Sequence, residues 1–269
     1  MKVSKIFLYD EPAVQEIQIS DLKNFLLETF HVDIEIKKCI FNNLDGKTIE
    51  KISGCRIFDP KMPFKEHLPN KQEIDFEKNV CEDTKLMEKT TMVENAERIE
   101  DVVMYDGFKI QNIVYDVIAE NDSDSNNLHI VFTNKLTCTY DITDNRYHGR
   151  AVICSNPSII STAGMIEAPA RPREYYFDVM KCKMQGLDIQ NVKKNYNEEF
   201  LDYHDKRLSK IAEGYLLQSI FYYITGDAFC DSLDCRLNNA HWQKDLLYSQ
   251  LKIGKLCNKH QALLDKLHL

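Results

Sequence analysis

No stretch of 18 or more apolar residues occurs anywhere in the chain, so no segment reads as a membrane-spanning helix. There is no GxxxxGK(S/T), no GxGxxG and no GxSxG. Nucleotide binding on a glycine-rich loop and serine hydrolysis therefore have no support. Basic excess is also missing. The 42 acidic residues outnumber the 34 basic ones, for a net charge of −8, which argues against general nucleic-acid binding. A disulfide framework is absent too. The nine cysteines are an odd number, and Cys39, Cys55, Cys81, Cys138, Cys154 and Cys182 have no close partner in sequence. In a reducing compartment such thiols serve mostly as small buried apolar groups. The opening MKVSKIFLYDEP holds only a short apolar run that meets Asp10, Glu11 and Pro12. It reads as a strand and not as a signal peptide, and a cytoplasmic protein is the expectation. There is no internal repeat and no low-complexity segment.

The 269 residues and 43% hydrophobic content suffice for a real core. One α/β (α+β) domain over 1–269 is expected, with a sheet-containing part at 1–185 and a helical part at 186–269. Charge is unevenly spread. Residues 66–124 carry 16 acidic and 6 basic side chains, a local balance of −10, and residues 230–269 carry 4 and 6. The first stretch reads as an acidic insertion. The excess in the second is too small for a nucleic-acid-binding zinc knuckle.

The local pattern is clearest at the start. Lys5–Tyr9 and the alternating Val32–Ile36 read as strands around a helix at Asp21–Phe30, with Ser20 as its cap. Such a β-α-β unit predicts parallel strands. Residues 55–72, with three prolines, read as a loop, and 73–105 as weakly helical. Asn112–Ala119 and Leu128–Thr133 read as strands on either side of a polar turn, and Ala151–Cys154 as another. The proline-rich segment 156–175 reads as a connection, and Arg171 and Arg173 as solvated. Leu208, Ile211, Ala212, Tyr215, Leu216 and Ser219 form one stripe at helical spacing within 195–225. Gly226 is its expected C-cap. Further helices are expected at 241–251 and 257–267.

Chemistry is concentrated after Gly226. A C-x4-C pair, Cys230 and Cys235, is followed after 21 residues by a C-x2-H pair, Cys257 and His260. Two close pairs of thiolate and imidazole ligands suit tetrahedral zinc, because each pair closes a small chelate loop. Four protein ligands leave no open position for water, so one structural zinc is expected there. The competing reading is three unrelated thiols and a surface histidine. His241, six residues beyond Cys235, reads as a helix start and not as a ligand.

These cysteines resemble those of archaemetzincin-like metallopeptidases. In that family HExxHxxGxxH runs directly into Cys-x4-Cys-x-Met, with Cys-x-x-Cys later. Here Cys230, Cys235 and Cys257 fall on three of the structural positions, and His260 replaces the fourth cysteine. The resemblance implies a metzincin-like α/β domain whose active-site helix ends at Gly226. It also implies where a catalytic zinc would sit, and there the chain departs. The three histidine positions are Ser219, Tyr223 and Phe229, the general-base position is Ile220, and the Met-turn position is Leu237. Phenylalanine cannot bind zinc and isoleucine cannot take a proton, so hydrolysis by the family mechanism is not expected. Ile220 and Phe229 suggest a cavity filled with core. No catalytic residue is assigned.

Two functions follow as expectations. The preferred one is an inactive relative of these peptidases with one structural zinc, binding a peptide or protein partner, with no nucleic acid and no membrane. The other is an active zinc metallopeptidase with relocated ligands drawn from His148, His204 and His241, and Glu213 as base. Glu213 points to a different face of the helix from Ser219. Oligomeric state is not legible.

Overall fold

The computed structural model describes residues 3–62, 66–82, 102–119, 122, 124–196 and 198–267. Its architecture is mixed α/β, built on two mixed sheets. Strand β1 (Lys5–Tyr9) lies between β2 (Asp33–Lys37) and β5 (Asn127–Thr133), parallel to both. Strand β9 (Ser158–Ser161) continues the sheet parallel to β5, and β8 (Val152–Ile153) closes it antiparallel to β9. The order is β2-β1-β5-β9-β8. The second sheet runs β3 (Arg56–Ile57), β4 (Met104–Asp106), β6 (Leu136–Asp141), β7 (Arg146–Arg150).

The first sheet is covered on both faces, which is why its central strand β5 is an almost unbroken apolar run. Ile130 and Phe132 point to one side, with Ile6 and Leu8 of β1. They pack on helix α1 (Ile19–Phe30) and on Leu208, Ile211, Leu216 and Ile220 of the long helix α8 (Leu208–Thr225). Val131 and Ile159 point to the other side. They meet Ile52 of α2 (Gly46–Ser53) and Ile110, Val114 and Ile118 of α4 (Gly107–Ala119).

Several elements differ from the expected ones. Asn112–Ala119 belongs to helix α4 and not to a strand. Gly107, Ile110, Val114 and Ile118 are buried at three- and four-residue spacing, and Asp106 accepts a hydrogen bond from the Lys109 N–H at the helix start. Helix α1 begins at Ile19, and its N-cap Gln18 makes no side-chain capping bond; Ser20 is inside the helix. The loop 55–72 contains β3 and the start of α3 (Lys71–Glu82). Residues 83–101 of the expected helical stretch lie outside the described residues, and its end is strand and not helix, since Met104 and Tyr105 belong to β4. Of the helical run expected over 195–225, only α8 is helix; a separate short helix, α7 (Gln190–Asn195), ends where that run was to begin. In place of one helix over 241–251 there is α9 (Gln243–Leu247) followed by a π-helical turn, Tyr248–Ile253. The last helix, α10, covers Asn258–Leu267.

Part of the acidic stretch is built into the core. Glu77 of α3 is fully buried, 2.6 Å from both Lys135 Nζ and Arg56 Nη2, and accepts a hydrogen bond from the Tyr105 hydroxyl at 3.0 Å. Burial pushes the Glu77 carboxyl up, but Lys135 and Arg56 outweigh it and hold it below the ordinary value. Arg171 is not solvated. It pairs with Glu167 at 3.3 Å and lies over the rings of Tyr175 and Phe200, while Arg173 lies over Trp242.

Candidate functional site

Helix α8 ends at Gly226, as the sequence predicts. The residue adopts φ +81° and donates its N–H to the Tyr222 carbonyl, a left-handed conformation that glycine takes without strain. The chain then turns into Cys230. Its N–H bonds the Leu237 carbonyl and its carbonyl accepts from the Asn238 side chain, so the loop from Cys230 to Asn238 closes on itself. Arg236 ties this loop to α8. It is buried, 2.9 Å from Glu213 and 2.7 Å from the Lys210 carbonyl. Glu213, a conceivable base, is thus a structural ion-pair partner. Gln250 fixes the loop from behind by donating to the Arg236 carbonyl. Its amide sits so close to Gly214 that a Cβ there would lie 1.8 Å from Oε1. That packing role of Gly214 carried no sequence signal beyond a glycine inside a helix.

The four residues picked by spacing come together. The ligand atoms of Cys230, Cys235, Cys257 and His260 all lie within 4.8 Å of one another. His260 Nδ1 is 3.1 Å from Cys257 Sγ and 3.5 Å from Cys235 Sγ. Tetrahedral zinc with sulfur at about 2.3 Å requires ligand separations of about 3.8 Å, so the group fits such an ion. Cys235 and His260 are buried, and the His260 ring stands edge-on to Phe221. Burial pushes the Cys235 thiol up to about 12. For Cys257, burial acts the same way, but the His260 N–H and the neighbouring thiols outweigh it and set it below the ordinary value. Burial also lowers His260, which leaves its imidazole neutral with a lone pair to share.

The positions where the family resemblance puts catalytic ligands do not converge. Ser219 is fully buried and donates to the Tyr215 carbonyl one turn back. Ile220 is core. Tyr223 reaches away to donate to the Ser125 carbonyl. Phe229 is 38% exposed. The expected filled cavity is not found. A cleft of about 590 Å³ runs beside the helix. Tyr215, Gln218 and Tyr222 face it from α8, one residue round from the expected ligand face. Val152, Ile153 and Cys154 form the strand wall, and Pro169, Phe229 and His241 complete it. The proline-rich segment is therefore not a bare connection: it holds β9, helix α5 (Thr162–Glu167) and the start of α6 (Arg173–Met184), and its Pro169 lines the cleft. Gln218 was missed from sequence. It is buried, its Nε2 donates to the Asn238 carbonyl, and its Oε1 has no partner.

The remaining histidines are apart. His148 bonds Asp144 at 2.7 Å and His204 bonds Glu16 at 2.9 Å. Among the described residues the one other potential metal grouping is Asp141, Asp144 and His148 of the β6–β7 hairpin, and none of its members lines the cleft.

Fold and site together define an α/β domain carrying a half-buried Cys3His cluster at the end of its long helix. The profile of the Probable metallopeptidase family (DUF6775) matches residues 2–267, and the chain belongs to that family. No curated protein and no solved structure matches it. No helix among the described residues is long and apolar enough to cross a membrane.

Proposed function

We propose that this chain is a non-hydrolytic member of its metallopeptidase family, similar to the archaemetzincin-like branch. In this reading Cys230, Cys235, Cys257 and His260 hold one structural zinc, and the cleft beside α8 binds an extended segment of a peptide or protein partner. The zinc fixes the Cys230–Asn238 loop and α10 against α8 and takes part in no reaction, since four protein ligands close its coordination. The observation that carries the reading is the contrast inside Ser219–Phe229. The side chains at the ligand and base positions are buried, apolar or turned away, yet the adjoining cleft stays open.

The cleft has the means to hold a peptide. Strand β8 pairs with β9 on one side, and its residues line the cleft. A sheet edge offers backbone groups to an added strand. Tyr222, Phe229 and the 55% exposed Phe108 supply aromatic surface. Active metallopeptidase chemistry with relocated ligands is less well supported, because it needs a second metal with an open position and a base near its water. His148, His204 and His241 share no such grouping among the described residues.

Elemental analysis of purified protein tests the first half, with one zinc per chain expected. A peptide library screened by fluorescence polarisation, with mass spectrometry of the same mixtures, tests the second. Binding that Tyr222→Ala weakens at least tenfold, with every peptide intact, is the expected result. Specific cleavage that chelation abolishes would overturn the non-hydrolytic reading. A library without a single binder would overturn the peptide-binding one.

A further inference from the structure

Helix α6 (Arg173–Met184) packs against the body through Tyr175, Val179 and Cys182, all buried. Its opposite face should be polar by the ordinary logic of a surface helix, and it is not. Phe177 is 68% exposed, Met180 58% and Met184 84%; Tyr176 at 48% and Leu187 at 59% extend the patch. At about 100° per residue Phe177, Met180 and Met184 share one stripe. Together the five side chains present on the order of 500 Å² of apolar surface, at the upper end of what a monomer leaves open.

We infer that this face is a self-association surface, on which α6 pairs antiparallel with α6 of a second copy of this chain. Two observations select that occupant. One is area: a self-pairing covers the patch on both copies, about 1,000 Å² in all, which is the least that a biological interface needs. The other is charge. Glu174 and Lys181 are exposed and lie two helical turns apart on the same flank of the stripe. A twofold axis perpendicular to the helix keeps that flank and reverses its direction, so Glu174 of each copy meets Lys181 of the other. Phe177, near the axis, meets its own counterpart. An isologous contact needs this kind of self-complementary patch. A parallel pairing would place the Glu174 and Lys181 flank against the other side of its twin and lose the match. The inference is independent of the zinc and of the cleft.

The test is sedimentation velocity and light scattering on the full chain up to about 100 μM, where an interface of micromolar Kd is populated. A mass of twice 31.4 kDa is expected, and Phe177→Glu with Met180→Glu should return the chain to a monomer with an unchanged circular-dichroism spectrum. Glu174→Lys alone should weaken the dimer several-fold at low salt, and adding Lys181→Glu should restore it. A monomer at every concentration overturns the proposal and leaves the face to an unlike partner. A dimer that survives the double glutamate variant overturns it as well. Failure of the charge swap to restore association overturns the antiparallel register.

Discussion

Two sets of four residues lie side by side in this chain and behave in opposite ways. Cys230, Cys235, Cys257 and His260 come from a loop, a turn and a helix, yet their ligand atoms gather within 4.8 Å. Ser219, Ile220, Tyr223 and Phe229 occupy eleven consecutive residues with the spacing of a metal motif, yet they disperse. One is hydrogen-bonded within its helix, one is core, one reaches the Ser125 carbonyl and one lines the cleft. Spacing alone therefore does not make a site. The first set converges because the loop is pinned by Arg236, Gln250 and Asn238 and because its members can all share one cation. The second set has no chemistry in common, so each side chain follows its own best environment.

The largest effect expected is loss of the converging set. Cys235→Ser removes a buried ligand, and since metal binding is folding free energy in such sites it should cost on the order of 5 kcal/mol and release the zinc. Thermal melting and elemental analysis check it; an unchanged melting curve with full zinc would show that the cluster is not a metal site. The same set should respond to pH. In the metal-free fold the Cys235 thiol, pushed up to about 12 by burial, keeps its proton at neutral pH. Zinc must displace that proton, so protons are released on binding and affinity falls as pH falls. Zinc added to chelated protein in weak buffer should acidify it, and mild acid should strip the metal. Proton release too small to measure would count against thiolate ligation.

Next in size is an attempt to rebuild the dispersed set. Ile220→Glu restores the residue that a peptidase uses as base, but at a position that is 1% exposed and packed among apolar side chains. An unpaired buried carboxylate is destabilising, and a cost of about 4 kcal/mol is expected, comparable to leaving one member of a buried ion pair uncompensated. A denaturant titration checks it. A stable Ile220→Glu variant would mean that the helix can turn this position toward the cleft, and the contrast between the sets would weaken.

How far the sequence carried is clear from the same residues. Short-range chemistry was legible: the paired Cys and His spacings, the glycine after α8, and the alternation of β2 that gave the parallel β1–β2 pair. Errors arose where a long-range partner decides. Ile113, Val114, Val117 and Ile118 are β-branched and suggest a strand, but α4 places Ile110, Val114 and Ile118 on the sheet at helical spacing, and packing overrides propensity. Phe229 was expected to fill a cavity, and only the fold shows that β8 and Pro169 hold a cleft open beside it. Gln218 and Gly214 act through residues 20 and 36 positions away, which no local pattern announces.

The smallest effect, and the sharpest test of the dispersal, concerns Tyr223. Its hydroxyl is partly exposed and donates to the Ser125 carbonyl, which turns the side chain away from the cleft that Tyr222 faces. Tyr223→Phe removes that bond and nothing else, so about 1 kcal/mol or less should be lost. If the two sets are independent, zinc content and peptide affinity should be unchanged, because Tyr223 touches neither the cluster nor the cleft wall. Tyr222→Phe in parallel should leave stability alone and alter peptide binding. A Tyr223→Phe variant that loses zinc or gains affinity would show that the Ser125 backbone, held by this hydroxyl, couples the cleft to the metal end of α8, and the two sets would then have to be treated as one.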